Sequence, residues 1–168
     1  ESLQLQIRPH FLLNTLNSIR WIAVMSQANS VSNMIGALSN LLKTSMNITE
    51  KFITLEQEIQ NVKDYLYIQK IRYNGVFTAD FYINDDILQC KVIKMILQPI
   101  VENSLIHGLD KTSIYSRIII TGQRVDKDII ILVKDNGKGM TPEKVDEIIF
   151  EMNSKGKSKS GIGLKNIN

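Results

Sequence analysis

Apolar side chains in the first 73 residues recur at intervals of three, four and seven, which is the spacing of helices packed along one face. The first run predicts a helix with an apolar stripe made of Leu5, Leu12, Leu16, Ile19 and Ala23. A second run keeps the three-four spacing over Val31, Met34, Leu38, Leu41, Ser45 and Ile48. The polar stretch MSQANSVSN at 25–33 is predicted to be the turn between them, with Asn29 or Ser30 as the helix cap.

A third helix is predicted to begin after Thr54, which has the spacing of a capping box with Gln57. Its near-heptad positions are Leu55, Ile59, Val62, Leu66, Gln69 and Tyr73. A narrow line of apolar side chains along each helix buries little area within a single hairpin. We therefore expect an antiparallel helical hairpin that pairs with a second copy of the chain, giving a homodimeric bundle.

Beyond Asn74 and Gly75 the pattern changes to mixed α/β. The segment VFTADFYI at 76–83 alternates as a strand does, and KVIKMILQPIVENSLIHG at 91–108 is predicted to be a helix with Gly108 as its C-cap.

Two β-rich runs follow, SRIIITGQRV at 116–125 and DIIILVKD at 128–135. They flank a polar turn at Asp126-Lys127 and predict a hairpin. The overall expectation is an α+β fold, with a helical region over 1–74 and a second domain over 75–168.

Composition narrows the function classes. Apolar residues make up 43% of the chain, enough for a core, and 20 basic against 17 acidic side chains leave a charge of +3, too small an excess to indicate nucleic-acid binding. No apolar run approaches the roughly 20 residues of a membrane-spanning helix, and no signal peptide is recognisable, so we expect a soluble fragment. The single Cys90 excludes a disulfide framework, and we interpret it as packing filler.

The first helix carries a polar line beside its apolar stripe. His10, Asn14 and Asn17 follow one another along this line. A histidine kept for core packing would lie on the apolar stripe, whereas His10 is predicted to be reachable by solvent or a partner. Pro9 before it has two interpretations, a bend in the helix beside His10 or the start of the helix.

The second half contains a glycine signal, DNGKGM at 135–140, directly after a predicted strand. Asp135 is placed to accept a hydrogen bond from an exocyclic amine such as that of adenine. Gly137 and Gly139 permit positive φ and a close backbone approach to a ligand. Taken alone, DNG is better explained as a β-turn.

A second glycine signal, GIGL at 161–164, predicts a turn that feeds a helix N-terminus able to receive phosphate oxygens. The preceding stretch NSKGKSKSG at 153–161 is predicted to be a mobile loop, whose Lys155, Lys157 and Lys159 would contact phosphates or keep the loop soluble. Neither glycine pattern is a Walker A or dinucleotide fingerprint.

Asn103 and His107 are four residues apart on the helix predicted between the strands, and so share a face. An asparagine carbonyl is a hard oxygen ligand suited to Mg²⁺, which takes much of its shell from water and nucleotide phosphates. Without the glycine signals, Asn103 would be interpreted as an amide on the helix surface.

Together these motifs resemble a known family. QPIVENSLIHG, DNGKGM and GIGLKNI, in that order, look like the N, G1 and G2 boxes of the Bergerat-type ATP-binding fold of histidine kinases, gyrase-like ATPases and the 90-kilodalton chaperones. RPHFLLNTLNSI, followed by LEQEIQNVKDYLYIQKIRYN, resembles more narrowly the LytS/YesM-like sensor histidine kinases of bacterial two-component systems.

The resemblance implies a role for each motif. His10 would accept the γ-phosphoryl group of ATP and pass it to an aspartate of a response-regulator receiver domain. Asn103 would hold Mg²⁺ and Asp135 the adenine. The remaining nucleotide-binding residues would be His107, Gly137, Gly139, Gly161, Gly163 and Leu164.

The same resemblance implies a homodimer that forms the cytoplasmic portion of a membrane-anchored bacterial receptor. It also links the residue four after the phosphoacceptor, Asn14, to phosphatase activity, beside the alternatives that Asn14 orients the imidazole or only solvates the helix.

Two departures from the family pattern qualify these expectations. Larger histidine-kinase families place an acidic residue directly after the phosphoacceptor, where this chain has Phe11, so the proton acceptor is unassigned. The sequence also stops at Asn168, just after the G2-like glycines, where the family fold continues with further strands, so we expect an incomplete ATP-binding domain.

Two rival functions follow from the same motifs. A hydrolytic ATPase of the gyrase or chaperone type would carry a glutamate four residues before Asn103, where this chain has Pro99; Glu102 points about 100° around the helix. A degenerate kinase would act as a dimeric scaffold without chemistry, which the presence of His10, Asn103 and Asp135 disfavours.

Overall fold

The computed structural model describes residues 9–47, 49–109 and 115–153. The elements of the first half are α1 Pro9–Met25, α2 Asn29–Met46, β1 Phe52–Thr54 and α3 Leu55–Arg72. The second half contains β2 Phe77–Ile83, a 3-10 turn Asp85–Ile87, β3 Lys91–Ile93, α4 Gln98–Asn103 continued by a π-helical turn Ser104–Gly108, β4 Ser116–Val125, β5 Asp128–Asp135 and α5 Pro142–Asn153. The predicted α+β class, with helices preceding a sheet-containing domain, is confirmed.

The chain reverses between α1 and α2 within three residues. The Ala28 amide donates to the Ala23 carbonyl at 2.8 Å, and Gln27 has a φ of 55°. Because the reversal is this tight, Asn29 is already helical, and the N-cap is Ala28, whose side chain makes no capping hydrogen bond. The predicted cap at Asn29 or Ser30 and the longer predicted turn are therefore wrong.

The third helix begins as its sequence predicts. The Gln57 amide donates to the Thr54 hydroxyl at 3.2 Å, and the Thr54 amide donates to the Gln57 side chain at 2.9 Å, which completes the capping box. The helix is followed by two residues of positive φ, Asn74 at 52° and Gly75 at 78°. Glycine adopts this conformation without the steric cost of a Cβ, which explains the turn before β2.

The strands form two separate sheets. β2, β4 and β5 form a three-stranded sheet in which β2 and β4 run parallel and β4 and β5 antiparallel. The predicted hairpin is confirmed, with Val125 paired to Asp128 across the turn and Asp126 at a φ of 53°. β1 and β3 form a second, two-stranded antiparallel sheet that the sequence pattern did not predict.

The helix predicted over 91–108 is wrong in its first third. Lys91–Ile93 pairs with Phe52–Thr54 as a strand, and the Lys94 amide extends this pairing by donating to the Lys51 carbonyl at 3.0 Å. The helix begins only at Gln98. Its helical turn ends at Gly108, but the C-cap is Leu109, whose amide donates to the Ser104 carbonyl at 3.0 Å.

One hydrophobic core joins α3, α4 and the larger sheet. Its buried members are Leu55, Ile59, Val62, Tyr65, Leu66, Phe77, Ile87, Leu97, Val101, Leu105, Leu109, Ile118 and Ile120. The core thus has members on both sides of the domain boundary that the sequence suggests at 74/75, and that boundary stays a prediction. Within the described ranges, no helix combines the length and hydropathy needed to cross a membrane.

Candidate nucleotide-binding and phosphoacceptor sites

The end of β5 lies directly against the end of the α4 segment. Asp135 is half-buried, and a Cβ built on Gly108 would lie 2.7 Å from its carboxylate carbon. A Cβ on Gly137 would lie only 1.9 Å from the Gly108 carbonyl oxygen. Both separations are far below van der Waals contact. At position 137 the contact is with backbone, so only glycine fits there, whereas a side chain at position 108 would displace the Asp135 carboxylate. The N-box-like and G1-like motifs, which are separated in the sequence, therefore meet here.

Backbone hydrogen bonds hold this junction together. The Lys138 amide donates to the Gly108 carbonyl at 3.1 Å, and the Gly137 amide donates to Asp135 Oδ1 at 3.0 Å. The first bond joins the loop to the helix, and the second fixes the orientation of the carboxylate. Asp135 is consequently held in one orientation at the end of its strand, as a carboxylate that recognises a ligand must be.

Asn136 secures the same loop from the other side. Its Nδ2 donates to the Tyr115 carbonyl at 2.8 Å, and its Oδ1 accepts the Arg117 amide at 2.7 Å. The loop is thereby tied to the start of β4 as well as to Gly108. Arg117 also forms an ion pair with Asp80 of β2 at 2.6 Å, and this contact raises the pKa of the Arg117 guanidinium.

The two glycines of the DNGKGM motif differ in what they permit. Gly139 has a φ of 67°, and a Cβ there would meet no atom within 4 Å, so positive φ is its requirement. Gly137 does not have positive φ, and its close approach is to the Gly108 backbone. For Gly137, the expectation of positive φ is wrong, because contact with the protein backbone is what demands a missing side chain there.

Asn103 and His107 lead into this junction from the α4 side. Asn103 is the last residue of the α-helical part and is half-buried, while His107 is exposed within the π-helical turn. Turns with this wider hydrogen-bond pattern are frequent at functional sites. Among the described residues, no cluster of three or more histidine, cysteine or acidic side chains could hold a metal ion by itself.

His10 belongs to a second group, on α1. His10, Asn14 and Asn17 are all exposed, as the sequence pattern predicts. Asn14 Nδ2 lies 3.2 Å from His10 Nδ1, within hydrogen-bond distance, so the amide contacts the imidazole one turn away. The described contacts do not join this pair to the Asp135 junction.

Some predicted site residues lie outside the described part of the chain, and two described residues of the site were not predicted from the sequence. Gly161, Gly163 and Leu164 lie beyond the described residues, as do the three lysines before them. Conversely, the sequence reasoning missed the contact role of Gly108 and Asn136. Both stand inside the quoted motifs, and the signal that could have revealed them is the pair of glycines, which marks a close backbone approach.

Comparison with known proteins defines the class to which this junction belongs. Residues 91–168 match the family model described as "Histidine kinase-, DNA gyrase B-, and HSP90-like ATPase". The matched range contains α4, the β4–β5 hairpin and the Asp135 loop. The second half of the chain is therefore an ATP-binding domain of this class.

The first half identifies the family more closely. Residues 1–77, which include His10 and α1 to α3, match the model described as "Histidine kinase". The two matches together span the chain apart from residues 78–90, and the chain belongs to the histidine kinase family.

Two sequence relatives agree with this assignment. The chain is 35% identical over 167 residues to the sensor histidine kinase YesM of Bacillus subtilis, and 26% identical to the sensor protein kinase HptS of Staphylococcus aureus. Each match covers 99% of this chain, but only 27% and 32% of the relatives. A histidine kinase domain from Erythrobacter litoralis EL346 aligns with 94% of this chain and 82% of its own length, at a TM-score of 0.48 and 15% identity.

Proposed function

We propose that the protein is a sensor histidine kinase that binds ATP at the Gly108–Asp135 junction, transfers the γ-phosphoryl group to His10 and passes it to an aspartate of a response-regulator receiver domain. The observation that carries the proposal is the contact between the two motifs: a fixed strand-end carboxylate packed against the glycine that ends the Asn103 helix. The similarity to sensor kinases over nearly the whole chain supports it.

Asp135 supplies the recognition of adenine. Its Oδ1 already accepts the Gly137 amide, so Oδ2 is the oxygen that we assign to the exocyclic amine of the base. A carboxylate offers acceptors only, whereas an amide can present a donor at the same place. Selection of adenine therefore depends on the charge state and orientation of this one side chain.

Asn103 is the residue that we assign to Mg²⁺. Its carbonyl is a hard oxygen ligand on the helix that ends at the junction, and a single protein oxygen suits Mg²⁺, which keeps several waters and takes its other ligands from phosphates. When bound, the ion would neutralise charge on the phosphates. His107 and Gly139 border the same region and complete the described part of the proposed nucleotide site.

The transfer step forms a bond between an imidazole nitrogen of His10 and the γ-phosphorus and breaks the bond from that phosphorus to the bridging oxygen of ADP. Asn14 contacts the ring and contributes to its orientation, but we do not expect this step to depend on it. With Asn14 Nδ2 donating to His10 Nδ1, the proton of the neutral imidazole resides on Nε2. Rotation of the amide by a half turn places Oδ1 at Nδ1–H instead and leaves the Nε2 lone pair for the phosphorus. Positioning of His10 and ATP relative to each other is the main protein contribution to phosphoryl transfer.

Dimerisation is proposed to occur through the α1–α2 hairpin. The large apolar side chains exposed on α1 are Phe11, Ile19, Trp21, Ile22, Val24 and Met25. Exposed large apolar side chains gathered on one helix point to an interaction surface. A second copy of the hairpin would cover it and complete a helical bundle. We place this assembly on the cytoplasmic face of a bacterial membrane, by analogy with the sensor proteins that it resembles.

The test is incubation of the full-length protein with γ-labelled ATP and Mg²⁺. The unmodified protein should acquire acid-labile label, and His10→Gln should acquire none while still binding ATP. Asp135→Asn should weaken ATP binding at least about tenfold in calorimetry, as expected for loss of a charge-assisted hydrogen bond. Asp128→Asn, at the exposed start of the same strand, is the matched control.

The same incubation separates the rival functions. A hydrolytic ATPase would release labelled phosphate equally from the unmodified protein and from His10→Gln, without labelling either. A dimeric scaffold would bind ATP weakly or not at all and release nothing. Either result would overturn the kinase proposal.

A further inference from the structure

Glu58 is a buried acidic residue that no step of the proposed kinase reaction uses. It lies on α3, on the side that faces the turn between β3 and α4, and its side chain is completely shielded from solvent. Burial raises the pKa of its carboxyl group, and hydrogen bonds from the backbone amides of Leu97 and Met95 partly offset that effect. Burial of a carboxylate is costly unless its oxygens are hydrogen-bonded, so its partners indicate what it does.

Its backbone partners lie in the turn that precedes α4. Glu58 Oε2 accepts the Met95 amide and Oε1 accepts the Leu97 amide, both at 2.9 Å. One carboxylate thus binds two amides of the same turn with both oxygens. Bonds from amides to a charged acceptor are stronger than neutral ones, and this pair fixes the turn from a helix that is distant in sequence.

The turn needs such a contact because of its own conformation. Met95 has a φ of 59°, in the left-handed region that non-glycine residues adopt at a cost of about 1–2 kcal/mol. Two residues later, the Leu97 carbonyl accepts the amides of Ile100 and Val101 at 3.1 and 3.0 Å, which starts α4. Leu97 is therefore held by Glu58 through its amide and begins the helix through its carbonyl.

The helix that starts here is the one that carries Asn103 and ends at Gly108. Only six residues belong to its α-helical part, Gln98–Asn103, so a displacement of its first turn reaches Asn103 within two turns. At its far end the Gly108 carbonyl is fixed by the Lys138 amide. The segment is thus held at one end by Glu58 and at the other by the Asp135 loop.

We propose that Glu58 is a positioning residue for nucleotide binding: its carboxylate holds the Met95–Leu97 turn and thereby places Asn103 toward the metal and phosphate groups of ATP. The inference rests on the proposed function, because it uses Asn103 as the Mg²⁺ residue. Glu58 itself does not touch the nucleotide. The assignment predicts a defect in Mg²⁺-dependent binding that is separable from a loss of folding.

The experiment measures the affinity of the full-length protein for a non-hydrolysable ATP analogue, with and without Mg²⁺, by calorimetry. Glu58→Gln keeps the side-chain shape but turns an amide group toward one of the two backbone donors. We expect its affinity with Mg²⁺ to fall about tenfold, and its affinity without Mg²⁺ to change less than threefold. Glu56→Gln is the matched control, an exposed glutamate on the same helix whose carboxylate accepts from the Gln89 side chain at 2.9 Å.

A rescue variant distinguishes positioning from a general structural role. Met95→Gly removes the steric cost of positive φ, so the turn no longer depends on Glu58 to hold it. The double variant Glu58→Gln/Met95→Gly should regain most of the Mg²⁺-dependent affinity. It also supplies a folded protein for the measurement if Glu58→Gln alone gives no cooperative thermal unfolding. Hydrogen exchange at amides 97–103 should rise in Glu58→Gln and fall again in the double variant.

Asn103→Ala separates the failure of this inference from failure of the proposed function. If Asn103→Ala loses the Mg²⁺ enhancement while Glu58→Gln keeps it, Asn103 is a metal residue and the Glu58 inference is wrong. If Asn103→Ala keeps the enhancement, the metal assignment of Asn103 is wrong and the Glu58 inference falls with it. If both lose it and the combined Glu58→Gln/Asn103→Ala variant is no worse than Asn103→Ala alone, both assignments hold.

Discussion

The described part of α1 and the helix α3 are nearly equal in length, 17 and 18 residues, yet their apolar side chains lie in different surroundings. On α1, Trp21 is 69% exposed and Met25 is 82% exposed, and Ala23 is the one described residue of the helix that is buried. On α3, Leu55 and Val62 are fully buried in the core shared with the sheet. The apolar side chains of α3 are therefore buried by the chain itself, whereas those of α1 remain largely exposed.

The comparison separates the two parts of the proposed reaction. The proposed ATP site is built on a core that the chain supplies by itself, whereas the proposed phosphoacceptor lies on a hairpin whose exposed apolar side chains we propose a second copy covers. Interactions between α2 and α3 connect them through polar contacts, including Asn40 to Asp64 and Thr44 to Asn61, both at 3.1 Å. Substitutions on the two helices should consequently fail in different ways.

The largest expected effect is at Val62. Val62→Asp puts an unpaired carboxylate into the core that α3 shares with the sheet. The cost is about 3–5 kcal/mol, which is comparable to the whole stability of a small domain. Thermal unfolding followed by circular dichroism should lose its cooperative transition or show a much lower midpoint. A wild-type midpoint would mean that α3 does not belong to this core.

The same change on α1 should leave the fold intact. Ile22 is 64% exposed, so Ile22→Asp adds a charge to solvent in the monomer but buries it in the proposed dimer. We expect the melting curve of the ATP-binding half to persist and self-association to weaken about 100-fold, as measured by analytical ultracentrifugation. Ser30→Asp, on the exposed first turn of α2, is the control, and an unmodified protein that is monomeric at all concentrations would contradict the proposal.

A smaller, selective effect is expected at Asn14, on the same hairpin. Asn14→Ala should leave dimerisation intact and His10 labelling within about threefold of the unmodified protein, while slowing dephosphorylation of the response regulator about tenfold. Its amide contacts the imidazole, and it is also placed to orient a water on an aspartyl phosphate. Asn17→Ala, one turn further on, is the control. Loss of labelling with unchanged dephosphorylation would instead make Asn14 solely an orienter of His10.

The smallest expected effect is on the pH dependence of stability, through Tyr65 of α3. Burial, followed by the charge of Glu102, raises the pKa of Tyr65 to about 12. The unfolded chain ionises this phenol near pH 10, so its contribution to stability is present below pH 10 and is lost as pH rises toward 12. Tyr65→Phe should flatten the fall in thermal midpoint over this window, and Tyr82→Phe, on an exposed side chain, should not. Identical alkaline profiles for both variants would show that burial does not raise the pKa of Tyr65.

Local signals in the sequence predicted local structure well. The capping box at Thr54 and Gln57, the hairpin turn at Asp126 and the exposed line through His10 all depend on residues within a few positions of one another, and all are confirmed. Three-residue strands are different. Lys91–Ile93 becomes a strand because Phe52–Thr54 is there to pair with it, and neither run is long enough to show a period of two.

The covering of apolar positions was also beyond the sequence pattern. The apolar positions Leu55, Val62 and Leu66 predicted a helix correctly. They were expected to pack against a second chain, whereas the structure buries them in the core of the same chain. Periodicity says which side of a helix is apolar and not what lies against it. For the same reason Asp135 was recognised from its motif, while the contact of Gly108 with Gly137 required the structure.

The parallel pairing of β2 with β4 has a consequence for the order in which the newly made chain folds. The register runs from Phe77 and Ser116 to Ile83 and Gly122, so the connection between the strands contains the whole α4 segment with Asn103. Parallel strands need such a crossover, and closing it is a slow, non-local event in folding. A nascent chain therefore gains its ATP-binding junction only after β4 and β5 have left the ribosome. At the proposed site, bound ATP would stabilise the completed sheet by mass action. The nucleotide would then act on newly made molecules as a folding ligand before its proposed use as a phosphate donor.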